Sequence, residues 1–473
     1  MVSSKYAGAG IKQVRSGLFP TSSRNTEFSF KLDHTISTAA QVSARYAFSR
    51  GKVNNGVEGA DNFADFSARG NSRTVDHSLV TSWVHVPTAR LVNELRFQLA
   101  RRSVDLTPNS AGPMLEIPGV LTLGQSYRLN ASRREDHGEI VESVNYSAGR
   151  SQFNIGFNLH QVRFDARMAN RFAGVYLFPT LADFLNGRPD VFFQAFGNPA
   201  TNFSTLPMGL WLQDRWQPLA GLTLEAGFRY DRQRMPSGLP SSSDNLAPRL
   251  GLAWKPGRNS HYVLRAGFGL FHDRYPLAFL NDAIQKNGTA AFEQYLAGAG
   301  AVGAFDVSRG GALAASFPGV KPSIYVADPH FVSTYSRKLT GGVERSLGID
   351  TRLTLEYNWV RGFHLPRVRN TAISLPAAYG LEQSARSAYQ GGSISINRRM
   401  RKELTYLLTY NLGRTHDDGS DFDEQPFEPS NVRADWTRVS HFYAVGGERL
   451  GSYGHEVETL NARQVQIMVQ FEF

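Results

Sequence analysis

The sequence predicts an all-β protein, specifically a large antiparallel transmembrane β-barrel with long extracellular loops and short periplasmic turns. Two observations carry this prediction. Segments of about ten residues recur with one apolar and one polar face, and the connections between them alternate between short and long. In addition, no run of about 18 apolar residues occurs, which excludes a helical membrane protein. About sixteen strands are recognisable.

The last stretch of the chain, residues 464–473 (QVQIMVQFEF), shows the alternation most clearly. Side chains of a strand point to opposite faces in turn, so glutamines and apolar residues separate here onto two faces. A tilted strand of this length covers roughly the 25 Å apolar band of an outer membrane. We predict that its lipid-facing side is the assembly signal for the barrel-assembly machinery, formed by Val465, Ile467, Val469, Phe471 and Phe473.

The same pattern recurs at 152–159, 222–231, 352–359 and 404–412. In 222–231, Glu225, Arg229 and Asp231 fall on one face. A soluble barrel packs its interior, so charged residues there would be costly without partners, whereas a water-filled lumen accommodates them. The repetition therefore favours a membrane barrel over a soluble sandwich.

Taken in order, residues 1–25 carry no strand pattern and are predicted to be a tail or a truncated edge, followed by the barrel domain over 26–473. Strands are predicted at 26–34, 38–49, 74–86, 89–104, 137–148, 151–165, 206–218, 221–234, 246–257, 260–272, 330–346, 350–361, 389–399, 403–415, 436–449 and 462–473.

The connections support the barrel independently, because outer-membrane barrels alternate periplasmic turns with extracellular loops. The segment 450–461 breaks this parity, since it is short and would leave Phe473 at the outer surface. Short turns are predicted at 35–37, 87–88, 149–150, 218–220, 257–259, 347–349 and 400–402, and longer loops at 50–73, 105–136, 166–205, 235–245, 273–329, 362–388 and 416–435.

The charge composition limits which classes of partner the protein could bind. The chain of 473 residues carries 51 Lys and Arg against 41 Asp and Glu, a net charge of +10. These basic residues are scattered singly, which argues against a nucleic-acid site. The pattern instead favours a lumen and rim lined with arginine, within reach of lipopolysaccharide phosphates. Cysteine is absent, as suits an envelope protein.

The N-terminal ten residues lack the apolar core of a secretory signal, although a barrel needs export. We therefore expect the chain to be a fragment or a mis-started reading frame.

Two segments within the predicted loops carry local sequence signals. One helix is predicted within a loop at 179–187, with Thr180 as N-cap, Gly187 as stop and Leu181, Phe184 and Leu185 as its apolar face. The segment 298–303 matches G-x-G-x-x-G but follows no predicted strand, so a flexible loop is favoured over a dinucleotide site.

No catalytic, cofactor-binding or metal-ligating set is predicted. The acidic run 417–428 suits a solvated loop better than a Ca²⁺ site. His272 and Asp273 beside Arg274 would suit acid–base chemistry, but no nucleophile motif accompanies them, and the twelve histidines lack helical metal-site spacing. An aromatic belt at the lipid interface is predicted for Trp83, Trp211, Trp216, Trp254, Trp359 and Trp436.

Several blocks, in this order, resemble the TonB-dependent outer-membrane receptors of the Oar-like type. They are 181–189 (LADFLNGRP), 211–216 (WLQDRW), 222–231 (LTLEAGFRYD), 245–254 (NLAPRLGLAW), 264–274 (LRAGFGLFHDR), 361–367 (RGFHLPR) and 417–421 (DDGSD).

The resemblance implies a bacterial outer-membrane location, a barrel of twenty-two strands, an N-terminal plug and a short box that contacts TonB. It also implies uptake of a scarce small ligand, with TonB acting only through a plug that this chain lacks. The candidate ligand-facing segments are the long loops 166–205, 273–329 and 362–388. The alternative is a plug-free passive channel or structural barrel, and no enzyme activity is expected.

Overall fold

The computed structural model describes residues 20–56, 64–257, 259–306, 313, 315–370, 378–401, 404–419 and 463–471. Fifteen long strands form one sheet in the order β1, β2, β3, β4, β7, β8, β11, β12, β13, β14, β17, β18, β19, β20 and β21, each antiparallel to its neighbours. Their bounds are β1 Ser22–Ser37, β2 Ala40–Gly56, β3 Gly70–Thr88, β4 Leu91–Pro108, β7 Ala131–Ala148, β8 Ser151–Met168, β11 Ala200–Leu219, β12 Leu222–Arg234, β13 Leu246–Trp254, β14 Tyr262–His272, β17 Tyr335–Ser346, β18 Thr351–Asn370, β19 Ala378–Arg401, β20 Leu404–Asp417 and β21 Arg463–Phe471.

These strands confirm the predicted barrel class and coincide with fifteen of the predicted segments; the sixteenth, 436–449, lies outside the described residues. The predicted loop 362–388 is wrong for most of its length, because β18 and β19 extend through it and pair up to Asn370 and Tyr379. The first strand begins at Ser22, inside the predicted tail. No helix in the described ranges is long and apolar enough to cross a membrane.

The pairing of the last strand, β21, shows at which end of the sheet the chain finishes. It pairs antiparallel with β20, and Phe471 lies opposite Leu404, next to the short β19–β20 turn. The strand therefore runs toward the short-turn end of the sheet, where a terminal aromatic is expected. Its register sets Val465, Ile467, Val469 and Phe471 opposite Tyr410, Leu408, Tyr406 and Leu404, which belong to the apolar face of β20.

The apolar faces lie on the outside of the sheet and are not packed against one another. Leu210 is 59% exposed and its antiparallel partner Tyr230 shares the same face, as do Phe228 and Leu250 farther along. The opposite face carries Arg229 and Asp231. This confirms that oily side chains face outward and charged side chains face inward.

The long connections are more ordered than loops. Five short strands from three of them form a second sheet in the order β15, β10, β9, β5, β6. Their bounds are β5 Met114–Ile117, β6 Leu121–Leu123, β9 Val175–Leu177, β10 Val191–Gly197 and β15 Ala291–Ala297, while β16, Ile324–Ala327, joins the main sheet by pairing parallel with β19. The helices are α1 Leu181–Asn186, α2 Leu277–Gln285 and α3 Ala299–Ala304, with a 3-10 helix at Phe66–Ala68.

The predicted loop helix is present as α1. The Thr180 side chain accepts a hydrogen bond from the backbone N–H of Asp183, and Gly187 ends the helix with a φ of 66°. Its apolar face was only partly right, because Phe184 is buried while Leu181 and Leu185 are exposed.

The predicted Gly-rich loop at 298–303 is instead the short helix α3, which follows β15 directly. The strand β15 was not predicted from the sequence, so the arrangement of a strand followed directly by a helix was not predicted either. That strand pairs antiparallel with β10, so no βαβ unit arises and the dinucleotide interpretation still lacks its context.

Candidate functional site in the barrel mouth

A folded cap lies at the long-connection end of the barrel. We define the cap as the five-stranded sheet with α1 and α3. Its core joins strands from three separate connections, and Tyr176 and Phe192 stack at its centre with ring centroids 4.2 Å apart. The core residues are Leu115, Ile117, Leu123, Tyr176, Phe178, Phe184, Phe192 and Ala301. Burial of this many apolar side chains makes the cap a packed unit.

Beneath the cap, α2 fills the mouth of the barrel. Phe279 and Leu280 of this helix are fully buried in one cluster with Phe203 of β11 and Val368 of β18. Four strands separate β11 from β18 in the sheet, so the cluster spans from one wall to another. Gln285 also donates from Nε2 to the carbonyl of Met168 at 3.0 Å. The helix therefore obstructs the mouth.

The wall strands change their pattern at this level. In β8, Phe153, Ile155 and Phe157 lie on the outer face, whereas higher up Phe164 and Ala166 are buried on the inner face. The outer face there carries exposed charged residues. Because α2 and its apolar cluster fill the interior at this level, apolar residues are needed inside and polar residues outside.

A buried ionic cluster joins the cap to α2. Glu293 of β15 forms ion pairs with Arg171 at 2.9 Å and with Lys286, at the end of α2, at 3.8 Å. The ammonium of Lys286 also lies 3.7 Å from Asp282 and 4.9 Å from the ring centroid of Tyr325. Four chain segments thus meet around a single carboxylate.

The electrostatics favour the charged forms. Burial alone would raise the pKa of Glu293, but Arg171 and Lys286 hold that pKa below its ordinary value. Burial lowers the pKa of Lys286, yet Asp282, Tyr325 and Glu293 more than offset this and raise it. Burial raises the pKa of Tyr325 to about 12. The cluster is therefore ionised at neutral pH and acts as a salt-bridge latch.

Below the cap, β8, β11, β12 and β13 line the lumen with aromatic and guanidinium groups. Trp211 donates from Nε1 to Oδ1 of Asn154 at 2.6 Å, and the Arg229 guanidinium lies 5.3 Å from the Trp211 ring. Arg229 also donates to Asp231 at 2.7 Å and to Asn158 at 2.6 Å. The Nε of nearby Arg249 is buried without a hydrogen-bond partner. This strip offers stacking surfaces and a donor for anionic ligands.

The position of Trp211 corrects the predicted aromatic belt. Trp211 pairs with Arg229 and therefore faces the lumen. Trp83, Trp216 and Trp254 are exposed, and Trp359 pairs with outward-facing Leu339; Trp436 lies outside the described residues. The sequence alternation could have predicted this orientation, since Leu210 and Leu212 flank Trp211 and point outward.

The histidine predictions fare differently. His272 packs on the outer face near Tyr335, with ring centroids 5.7 Å apart, whereas Asp273 accepts the backbone N–H of Arg274. The candidate acid–base pair is therefore not assembled. Sequence reasoning missed a luminal pair, His137 and His160, whose nitrogens lie 3.1 Å apart across β7 and β8.

The acidic run at 417–428 was predicted to be a solvated loop, and no metal site was predicted. Asp418 is not solvated as predicted but forms a buried ion pair with Arg367, and the run beyond 419 lies outside the described residues. Within the described part of the chain, no three His, Asp or Glu side chains are grouped so as to hold a metal ion.

Solved structures share the barrel fold. The outer membrane transporter YddB from Escherichia coli matches with a TM-score of 0.60 at 11% identity, over 86% of this chain and 50% of that one. FpvAI, solved in complex with pyocin S2, matches with a TM-score of 0.56 at 9% identity, over 96% and 54%. The FrpB iron transporter from Neisseria meningitidis matches with a TM-score of 0.53 at 12% identity, over 84% and 52%.

The chain thus spans about half the length of these structures. No curated protein matches it in sequence. The family model described as outer membrane beta barrel domain matches residues 7–239 and 234–442, which is most of the chain. With its outward apolar face, polar lumen and matching fold, this chain belongs to the outer membrane β-barrel domain family and is a protein of the bacterial outer membrane.

Proposed function

We propose that the chain forms the barrel of a TonB-dependent transporter that takes up a scarce small ligand across the outer membrane. The observation that carries the proposal is the packed cap and α2 closing the mouth above a polar lumen. A barrel closed in this way needs a conformational change to admit a ligand, and TonB would supply that energy through a plug. The proteins with the same fold, among them an iron transporter, support a transport role.

The luminal strip indicates the ligand class. Arg229 and Arg249 face inward beside Trp211 and Phe271, and the Arg249 guanidinium lies 4.6 Å from the Phe271 ring. Guanidinium groups bind carboxylates and phosphates, and aromatic rings stack on conjugated systems. We infer that the ligand is an anion carrying an aromatic or conjugated group.

The alternative is a plug-free passive channel or structural barrel. The two are separated by reconstituting the chain in planar bilayers and recording conductance. A transporter with a closed mouth gives little steady conductance, and removal of residues 277–297 opens it. Large, steady conductance of the intact chain would favour the passive channel.

TonB coupling is tested in cells that express the protein. Uptake of an aromatic anion that binds the barrel is compared in cells with and without TonB. Uptake that requires TonB supports the proposal; equal uptake would contradict the coupling.

Two further contacts belong to this proposal. The barrel-assembly machinery would read the apolar face of β21, and lipopolysaccharide would contact the basic outer wall. Catalysis forms no part of it, since the proteins sharing this fold are transporters and receptors.

A further inference from the structure

A line of polar side chains connects the barrel wall to the segment that leads into α2. Arg274 lies between the end of β14 and the start of α2, and its Nη1 is 2.5 Å from Nδ1 of His160 on β8. Nε2 of His160 is 3.1 Å from Nδ1 of His137 on β7. Nε2 of His137 is in turn 3.3 Å from a carboxylate oxygen of Glu135. Four side chains thus form one continuous line of contacts on the luminal side of the wall.

The chemistry of the two ends fixes the direction of every hydrogen bond in this line. A guanidinium can only donate, and an ionised carboxylate can only accept. Nδ1 of His160 must therefore accept from Arg274, which leaves the ring proton on Nε2 to be donated to His137. His137 likewise accepts at Nδ1 and donates from Nε2 to Glu135. All three contacts are satisfied only when both imidazoles are neutral and hold these tautomers.

A single added proton breaks the line at Arg274. Protonation of His160 places an N–H on Nδ1, which then faces the Arg274 donor across 2.5 Å, and the two cations repel each other. Protonation of His137 places an N–H on its Nδ1, so His160 can keep that contact only by moving its own proton from Nε2 to Nδ1. This shift again sets two donors opposite each other at Arg274.

Charged groups of both signs surround the two rings. Glu139 lies directly opposite His160 in the β7–β8 register, and its carboxylate favours a charged imidazole, whereas Arg274 opposes one. An unperturbed histidine titrates near pH 6.5, so we expect the pair to take up a proton between about pH 7.5 and about pH 5. The other charged groups that face this line from β3, β4 and β7 are Asp76, Arg102 and Arg133.

The segment that contains Arg274 leads directly into the helix that obstructs the mouth. Only two residues separate Arg274 from the first residue of α2. The next residue, Tyr275, is buried, and its ring packs on Phe279 of α2 with centroids 6.2 Å apart. Repulsion at Arg274 therefore acts on the N-terminal end of α2, whereas the cluster around Glu293 holds the other end.

We propose that the two luminal histidines form a proton-operated release for α2. At neutral pH the line from Arg274 to Glu135 is intact and α2 stays in the mouth. Protonation of either ring expels Arg274 and loosens the helix, so the mouth opens in mild acid. This inference rests on the closure of the mouth by α2 in the proposed function. It is distinct from the Glu293 latch, because that carboxylate, whose pKa lies below its ordinary value of 4.5, is still ionised at about pH 5.

The experiment records the conductance of the full chain in planar bilayers at about pH 7.5 and about pH 5. Loss of one hydrogen bond to a charged group corresponds to about a tenfold shift in an equilibrium, so the mean wild-type conductance should rise about tenfold in acid. His160→Asn keeps an amide oxygen near the place of Nδ1 but cannot take up a proton, so it should stay closed at both pH values. Arg274→Gln removes the repelled cation and should conduct equally at both.

Two matched controls separate this site from general titration of the protein. His77→Asn changes a histidine on the outer face, which contacts the Tyr46 hydroxyl at 2.8 Å. Arg163→Gln changes an exposed arginine on the outer face of the strand that carries His160. Both variants should respond to acid like the wild type. Unchanged heat-shifted mobility confirms that each variant has folded.

A second measurement follows α2 itself. Backbone hydrogen exchange of residues 277–285, corrected for its intrinsic pH dependence and referred to β8 in the same sample, should accelerate in acid in the wild type but not in His160→Asn. An acid response that persists in His160→Asn or Arg274→Gln would overturn the release, as would its loss in His77→Asn.

The release and the closure of the mouth fail in different ways. A wild-type mouth that stays closed at both pH values would overturn the release and leave the proposed closure intact. Steady conductance already at neutral pH would contradict the closure, and the release with it.

Discussion

At the scale of single residues, the lumen depends on glycines that let large side chains lie flat against the wall. A Cβ on Gly156 would lie 2.3 Å from both the carbonyl oxygen of Glu142 and the ring of Trp211. Real Cβ atoms do not approach so closely, so the Trp211 ring occupies space that only glycine leaves free. The hydrogen bond from Trp211 to Asn154 depends on that position.

We therefore predict that Gly156→Ala displaces Trp211 and destabilises the barrel by about 1–3 kcal/mol, the usual cost of overpacking. The measurement is the temperature at which the folded band disappears on a cold gel, which should fall. Gly341→Ala is the control, because its Cβ would meet nothing within 4 Å. Equal melting of the two variants would refute the packing argument.

At the scale of elements, the latch around Glu293 holds the cap on α2. Glu293→Gln removes the carboxylate between Arg171 and Lys286 and leaves Asp282, 3.7 Å from the Lys286 ammonium, as the remaining counter-charge. Breaking a buried pair costs about 3–5 kcal/mol, and the low end applies here because Arg171 keeps access to water. Hydrogen exchange of β10 and β15 should therefore accelerate about a hundredfold at pH 7, relative to β8 in the same sample.

The latch is also expected to weaken in acid. Since folding lowers the pKa of Glu293, its stabilisation is fully present above the unfolded value near 4.5 and is lost as pH falls through the lower folded value. Wild-type protection should decline over that window, whereas Glu293→Gln should show a flatter profile. Asp328→Asn, which alters an exposed pair with His330, serves as the control and should keep the wild-type slope.

The sheet strands were predictable because each carries its own alternation, as in β12, where Leu224 and Phe228 alternate with Glu225 and Arg229. The cap strands were not, for two physical reasons. Val175–Leu177 is only three residues long, too short for a periodic signal. Its partner at 114–117 comes from another connection, and its partner at 191–197 follows only after the helix α1, so neither pairing leaves a local pattern.

The same difference between local alternation and long-range contacts explains why the ionic cluster was not predicted. Outward faces followed from alternation, but the meeting of Arg171 with Lys286 and Glu293 depends on how two separate connections fold together. Even the predicted loop 362–388 failed because β18 and β19 continue above the membrane, where alternation loses its apolar outer half. The membrane-spanning parts of the strands could be predicted from the sequence. The cap and the ionic cluster above them could not, because they depend on the tertiary fold.

At the scale of the whole molecule, the sheet is one long ladder whose last strand meets β20 through Val465, Ile467, Val469 and Phe471. Each of these positions falls opposite a residue of the outward apolar face of β20. In hydrocarbon, polar side chains on that face cost free energy that depends on depth, and they would also alter the signal that the assembly machinery reads.

We predict that replacing Phe471 and Phe473 by serine blocks membrane insertion of the full chain. The reason is that both residues belong to the predicted lipid-facing side of the closing strand, which ends beside Leu404 at the short-turn end. Insertion is measured by the heat-shifted mobility of membrane fractions on a cold gel, which the double variant should lose. A variant with Gln470→Ser and Gln466→Ser, on the alternate face, should insert normally. Normal mobility of the phenylalanine variant would show that these positions do not direct assembly.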